Sequence, residues 1–287
     1  MKSEGRVGIR KMYKLYINGA FARSESARSD QIGGENVAHA SRKDVRDAVV
    51  AARAGFAKWS DQAPATRGLV LYRLAEMMEA RAAELAAQLV LGGTVDAGAA
   101  AREVAAAIDR TVWYAGWADK WVALASSRNP VNGPHFNFST AEPTGIVAVL
   151  APDEPALLGM VTAVLPALVG GNGVVVVAGE RDPRSAIVFA ECLATSDLPA
   201  GACNVLTGTR AELGPVLAGH MDVNALAAFG LEGIFERKLG QLAAENVKRT
   251  HFEDAPARDG WFDARYDDLD RVVAFTETKT IWHPARI

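Results

Sequence analysis

The sequence predicts an α/β fold: a doubly wound parallel sheet, preceded by a layer of helices and accompanied by a β arm. Three observations lead to this prediction. From Gly145 onward, apolar strand-like segments alternate several times with helical segments. The first third of the chain contains long stretches with apolar residues at helical spacing. The segment around Phe136 and the segment ending at Trp282 alternate apolar and polar residues, as half-exposed strands do.

The composition indicates a folded, near-neutral protein. Of 287 residues, 49% are hydrophobic and 23% are charged, as in ordinary globular chains. Lys and Arg total 31 against 34 Asp and Glu, which gives a formal net charge of −3. A chain without a positive excess has no field that gathers polyanions. We therefore expect neither nucleic acid nor a membrane as a partner.

Two features predict a cytoplasmic protein. Residues 1–6 are largely charged and lack the apolar core of a signal peptide. Two cysteines are too few for a disulfide framework and suit a reducing compartment. Residues 155–179 carry no charge and could span a bilayer by length. However, Pro166 and the glycine-rich residues 170–173 divide this stretch into a helix and a buried strand.

A helical layer is predicted before the sheet. Ser41 and Asp44 have capping-box spacing, and apolar residues then follow at helical intervals as far as Phe56. A second helix starts near Thr66, and a third follows it. A long alanine-rich helix then leads to four aromatic residues that we interpret as packing residues: Trp113, Tyr114, Trp117 and Trp121.

The sheet and the arm follow in order along the chain. The Asn132-Gly133 pair between two extended segments predicts a hairpin. Helices are predicted to begin near Pro155, Pro183, Ala211 and Gly233. The predicted parallel strands are Ile146 to Leu150, Val174 to Val177, Asn204 to Leu206, Ala225 to Phe229 and Thr250 to Phe252.

The last part of the chain is polar and then β-rich. Residues 254–270 are rich in Asp and Arg and predict a connecting segment. Val272 to Trp282 is predicted to form a strand, which pairs either with the Phe136 hairpin or with another subunit.

Common catalytic and binding motifs are absent from the sequence. It contains no G-x-G-x-x-G fingerprint after a strand, no Walker A motif and no G-x-S-x-G elbow. The five histidines have no zinc-binding spacing, so we expect no metal site. Cys192 lies within a predicted helix and Cys203 precedes a predicted strand, and we interpret both as buried apolar residues.

Seven segments carry a resemblance that spans nearly the whole chain in order. They are Leu15 to Gly19, Tyr114 to Trp117, Pro143 to Leu150, Leu165 to Asn172, Leu198 to Gly208, Ala244 to Arg249 and Thr276 to Thr280. Together they resemble the aldehyde dehydrogenase superfamily. The resemblance implies a cofactor-binding domain over residues 7–255, with the hairpin at 128–144 belonging to the arm. Residues 256–287 would then form a linker and a C-terminal oligomerisation strand.

The resemblance implies NAD or NADP as the cofactor. Leu150, Pro152, Glu180 and Gly230 stand at positions that contact it in the family. Val177, however, replaces the lysine that holds the adenosine ribose. We therefore expect binding to be weak or absent.

The positions implied for catalysis depart further from the family. Glu154 stands where the family has the asparagine that donates to the oxyanion, and a carboxylate there repels negative charge. Glu253 aligns with the general base. Neither Cys192 nor Cys203 occupies the nucleophile position, and the chain passes from Glu253 to the C-terminal strand without a catalytic domain.

Three functional hypotheses follow. The first is a pseudoenzyme, inactive alone, that is a structural or regulatory partner of an active NAD-dependent aldehyde dehydrogenase. It resembles the non-catalytic module of paired enzymes, would assemble as a homo- or hetero-oligomer through its β arm, and would have a full-length paralogue as its partner. The second is a nucleotide-binding module without catalysis. The third is a residual NAD-dependent aldehyde oxidoreductase.

Overall fold

The computed structural model describes residues 9–285. The predicted domain start at residue 7, the charged residues 1–6 and the last two residues of the predicted 256–287 segment lie outside the described residues. Five short strands come first, and they contradict the prediction that the first third is helical throughout. Strands of two to four residues are too short to give a recognisable alternation. They are β1 (Met12–Tyr13), β2 (Leu15–Ile17), β3 (Ala20–Ala22), β4 (Ser29–Ile32) and β5 (Glu35–Ala38).

The helical layer is confirmed from Ser41 onward. It comprises α1 (Arg42–Ser60), α2 (Pro64–Ala80), α3 (Ala82–Leu91), α4 (Ala97–Trp117) and α5 (Trp121–Ala125). The capping box is formed, because Ser41 Oγ accepts from the Asp44 N–H while the Asp44 carboxylate accepts from the Ser41 N–H at 2.7 Å. Trp121 was wrongly placed on the long helix, since a turn at residues 118–120 separates it from α4.

The remaining elements alternate as predicted. They are β6 (Ser127–Asn129), β7 (His135–Pro143), β8 (Ile146–Leu150), α6 (Ala156–Val169), β9 (Gly173–Val177), α7 (Arg184–Leu193), β10 (Cys203–Leu206), α8 (Arg210–Ala218), β11 (Ala225–Phe229), α9 (Gly233–Ala244), β12 (Arg249–Glu253), α10 (Asp270–Val273) and β13 (Thr276–Pro284). Three of the parallel strands, β9, β10 and β12, begin one residue earlier than predicted. Cys203 is therefore the first residue of β10 rather than the residue before it.

A seven-stranded sheet forms the centre of the molecule, with the order β12-β11-β8-β9-β10-β2-β3. Its first five strands are parallel, and β2 and β3 add an antiparallel edge. One face packs against α1, α8 and α9, and the other against α2, α4, α6 and α7. This confirms the doubly wound α/β fold. No helix within residues 9–285 is both long and apolar enough to cross a bilayer.

The arm is a three-stranded antiparallel sheet with the order β13-β7-β6. The alternative partners left open for the last strand are resolved within the chain, because β13 pairs with β7 over nine residues, from Thr276 opposite Pro143 to Pro284 opposite His135. The predicted start of this strand at Val272 was wrong. Val272 lies in α10, where its side chain is buried.

Asn172 joins three parts of the fold. It is fully buried in the turn between α6 and β9. Its Oδ1 accepts from the Gly145 N–H at 3.0 Å, before β8. Its Nδ2 donates to Ala167 O in α6 and to Phe275 O before β13, both at 3.0 Å. One amide thus satisfies three backbone groups, one at the base of the arm.

We expect Asn172→Ala to lower the free energy of unfolding by about 1–3 kcal/mol, because it leaves the buried Gly145 N–H without a partner. Ala167 O and Phe275 O each lose one donor but keep a backbone donor. Urea denaturation measures this change. Asn132→Ala, in the exposed hairpin turn, is the matched control and should change stability by less than about 0.5 kcal/mol. Equal effects of the two substitutions would contradict the role of Asn172.

Candidate functional site

The carboxyl ends of the parallel strands bring most of the predicted site residues to one edge of the sheet. Leu150 ends β8 and Val177 ends β9, and both are fully buried. Pro152 follows β8, Gly230 follows β11, and Glu253 ends β12. Two further predicted residues, Glu154 and Glu180, lie in the loops after β8 and β9.

The carboxylates in these loops are bonded to neighbouring groups of the chain. Asp153 Oδ1 accepts from the Glu180 N–H at 2.6 Å and the Arg181 N–H at 3.3 Å. Glu154 forms an ion pair with Arg181. Glu180 Oε1 accepts from the Arg210 N–H at 2.6 Å, at the first residue of α8. Glu180 therefore caps a helix, where a negative charge is favourable.

Arg210 occupies the same edge and was not identified from the sequence. Its side chain is 11% exposed. The Nη2 atom lies 3.2 Å from Asp153 Oδ1, although neither Nη2 nor Nε makes a well-aligned hydrogen bond within residues 9–285. The sequence offers one indication of this position: Arg210 is a cation that stands two residues after Gly208, shortly after a predicted strand.

Two side chains, His251 and Arg271, hold the Glu253 carboxylate. His251 Nε2 lies 2.6 Å from Glu253 Oε1, and Arg271 forms an ion pair with Glu253 Oε2. Burial alone would raise the pKa of this carboxyl, but the hydrogen bond from His251 and the charge of Arg271 together lower it below 4.5. Sequence reasoning missed Arg271, which lies in α10, eighteen residues further along the chain.

A second carboxylate, Glu103, was also missed. It lies in α4 and is fully buried. Its Oε1 accepts from the Leu157 N–H at 2.8 Å and the Leu158 N–H at 3.3 Å, in the first turn of α6, and its Oε2 pairs with Arg258. Burial raises the pKa of Glu103 above 4.5, and the two amides and Arg258 oppose that shift.

Residues 254–275, which we call the strap, lie over the ends of β11 and β12. The Trp261 and Tyr266 rings stack with centroids 5.0 Å apart, and Trp261 also lies 5.5 Å from the Phe229 ring at the end of β11. Trp261 and Tyr266 are both buried. These aromatics therefore anchor the polar connecting segment to the domain.

Polar contacts hold the strap to α4 as well. Arg110 Nε donates to Asp267 at 3.0 Å, and the Tyr114 hydroxyl donates to Tyr266 O at 3.1 Å and Asp268 O at 3.2 Å. Because Arg110 and Tyr114 lie one turn apart in α4, they fix the strap along one face of that helix.

Neither cysteine is a reactive thiol. Cys192 lies within α7 and Cys203 at the start of β10, and both are buried. Burial raises the pKa of Cys192 to about 11 and that of Cys203 to about 12. Both thiols therefore stay protonated at neutral pH, and the thiolate is the nucleophilic form. Within residues 9–285, no group of three or more His, Cys, Asp or Glu side chains could hold a metal ion.

The model of the aldehyde dehydrogenase family matches residues 24–279, which is most of the chain. The chain belongs to the aldehyde dehydrogenase family. It is 33% identical over 254 residues to the putative aldehyde dehydrogenase DhaS of Bacillus subtilis, covering 84% of this chain and 50% of that protein. The chain thus spans about half the length of this relative.

Solved structures of aldehyde dehydrogenases share the fold. The NAD+ complex of the Bacillus cereus enzyme superposes with a TM-score of 0.81 at 24% identity, over 85% of this chain and 51% of that one. PnpE, from Pseudomonas sp. WBC-3, was solved with nicotinamide adenine dinucleotide. It gives a TM-score of 0.79 at 28% identity over 83% and 50%. Family resemblance therefore supports NAD(P) as the type of cofactor.

The residues at this aldehyde dehydrogenase site fit a dinucleotide poorly. The Glu180 carboxylate, at the ribose-binding position, is bonded to the N-terminus of α8. Val177 offers no polar group and is buried. The strap lies directly against Gly230, since a Cβ at this position would lie 2.8 Å from the Ala255 Cβ. The Arg210 side chain also lies at this edge, with Nη2 3.2 Å from Asp153 Oδ1.

We expect Glu253→Gln to destabilise the protein by about 1–3 kcal/mol at pH 7, because it removes the charge that Arg271 faces. A lowered pKa in the folded state means that this stability is present above pH 4.5 and is lost as the pH falls through the folded pKa. Urea denaturation between about pH 3 and pH 7 should thus show the difference shrinking in acid.

Glu79→Gln is the matched control for this titration, since Glu79 is exposed on α2. It should leave the stability at each pH close to that of the original chain. A difference for Glu253→Gln that stays constant with pH would contradict the assigned ion pair.

Proposed function

We propose that this chain is a pseudoenzyme of the aldehyde dehydrogenase family, which is inactive alone and is a structural or regulatory partner of an active NAD-dependent aldehyde dehydrogenase. One observation carries the proposal: groups of the chain itself occupy the positions where the family's chemistry takes place. The relatives from Bacillus subtilis and Emericella nidulans are named as aldehyde dehydrogenases, and the proposal departs from those names on these residues.

The absence of an accessible thiolate among residues 9–285 supports this proposal. Aldehyde oxidation through a covalent intermediate needs a thiolate that the substrate can reach. Cys192 and Cys203 are buried and protonated. No other thiol exists in the chain.

The charges at the start of α6 point the same way. An oxyanion is stabilised by unoccupied N–H donors, and loss of one donor costs about 3 kcal/mol of barrier. Here the Leu157 and Leu158 N–H groups already donate to Glu103. Glu154, nearby in sequence, adds a second carboxylate at the oxyanion position. Its electrostatic effect is opposite to that of an amide donor.

Glu253 is unsuited to the role of general base. A base of this kind accepts a proton most effectively when its pKa lies near the working pH. The hydrogen bond from His251 and the ion pair with Arg271 instead lower the pKa of Glu253, which moves it further from neutral pH. The strap that carries Arg271 also covers this strand end.

The β arm supports assembly with another subunit. Among residues 9–285, its sheet has two free edges, along β6 and β13, and exposed strand edges readily pair with other chains. Trp282 on β13 is 60% exposed and Phe136 on β7 is 40% exposed. Large exposed aromatics are typical of interface anchors.

We expect the purified chain to give no aldehyde-dependent NADH signal with NAD and no NADPH signal with NADP. Calorimetry should show no cofactor binding tighter than about 1 mM. Binding without turnover would instead support the nucleotide-binding module. Turnover abolished by Cys203→Ala or Cys192→Ala would support the residual oxidoreductase and contradict the proposal.

The partnership is tested by co-expression with a full-length aldehyde dehydrogenase paralogue. The chain should co-purify with it, and Trp282→Glu should weaken the complex at least about tenfold, since a buried anchor tryptophan is worth about 2 kcal/mol or more. Leu69→Glu, at a position on α2 that is 71% exposed, is the control and should leave the complex intact. Homogeneous self-assembly with no effect on the paralogue would contradict the proposal.

A further inference from the structure

A broad groove lies on the face of the domain formed by α1, α8 and α9. Its volume is about 990 Å³. The floor is α8, one wall is α1, and the other is α9. The groove contains no residue of the strap or the arm, so it is separate from both surfaces discussed above.

The groove combines an apolar floor with cationic walls. Pro215 and Val216 lie on the floor, and Leu242 extends the apolar surface onto α9. Met221, at one end, is 72% exposed. A methionine left in solvent beside other apolar groups is typical of a surface that binds a partner.

The cations stand on opposite walls. Arg42, Lys43 and Arg46 line the groove from α1, and Lys238 lines it from α9. Lys43 pairs with Glu25 and Arg46 with Asp47. Arg42 and Lys238 form no ion pair with any carboxylate of residues 9–285, and no carboxylate lines the groove. The cations thus lack carboxylate partners inside the groove itself.

We propose that this groove binds an acidic amphipathic helix of a partner protein. Two turns of helix, taken as a cylinder roughly 10 Å across and 11 Å long, occupy roughly 850 Å³, which is close to the volume of the groove. The apolar face of such a helix would contact Val216, Met221 and Leu242, and its carboxylates would face Arg42 and Lys238. This is the helix-in-groove mode of recognition with complementary charge.

The probe for this proposal is a fluorescein-labelled helical peptide of fourteen residues, with Leu at apolar positions and Glu at polar positions. The control peptide has Lys in place of Glu. Fluorescence anisotropy should show binding of the Glu peptide to the full chain, and much weaker binding of the Lys peptide. Raising the ionic strength from about 0.05 M to about 0.5 M should weaken binding of the Glu peptide, because salt screens exposed charges.

Two variants locate the binding. The double substitution Arg42→Glu with Lys238→Glu should lower the affinity for the Glu peptide at least tenfold. Met221→Asp should also lower this affinity. Arg237→Glu is the matched control, since Arg237 is exposed on α9 beside Lys238 but does not line the groove. It should change the affinity less than twofold. Circular dichroism confirms that each variant is folded.

Three results would overturn the proposal. The first is no binding of the Glu peptide by the original chain at about 1 mM. The second is equal binding by the original chain and the double variant. The third is self-association of the chain that the double variant abolishes without peptide, which would make a second copy the occupant.

Discussion

The ion pair between Glu103 and Arg258 is the contact on which the rest of the site depends. A carboxylate without solvent is costly unless donors surround it. Here the first-turn amides of α6 and a guanidinium from the strap supply those donors. The pair therefore fixes the relative positions of three elements, α4, α6 and the strap. It also places a negative charge at the helix end that would otherwise attract an anion.

The same arrangement recurs along the edge of the sheet. Glu180 caps α8, Asp153 binds the loop after β9, and Glu253 holds Arg271 of α10. Each of these carboxylates has a structural partner. The family fold is thus retained, while the charges at its strand ends stabilise the chain itself. In physical terms, groups that could bind a ligand instead hold a helix, a loop and the strap in place.

Much of this fold could be predicted from the sequence. The buried strands and the crossover helices are long and regular, and the capping box at Ser41 marks a helix start. The family segments then identify the strand ends. The short strands β1 to β5 could not be predicted, because two to four residues are too few to show the alternation of apolar and polar residues that identifies a strand. The packing of Trp261 was hidden as well, since polar residues surround it in the sequence.

The candidate site could be predicted only in part. Its loop residues follow from strand order, but their partners come from distant parts of the chain, as Arg258 does for Glu103. One signal was overlooked: Glu103 lies on the apolar face of α4, beside Ala100 and Val104. A lone carboxylate on a buried helix face needs a buried partner. The partner itself could be found only from the tertiary structure.

The contacts of Trp261, Arg258 and Arg271 predict that the strap stays packed on this domain. Hydrogen–deuterium exchange of residues 254–275, followed by mass spectrometry with and without NAD, measures this packing. We expect protection comparable to that of the sheet strands and no change at about 1 mM NAD. Rapid exchange across the strap, or exchange that changes when NAD is added, would contradict it.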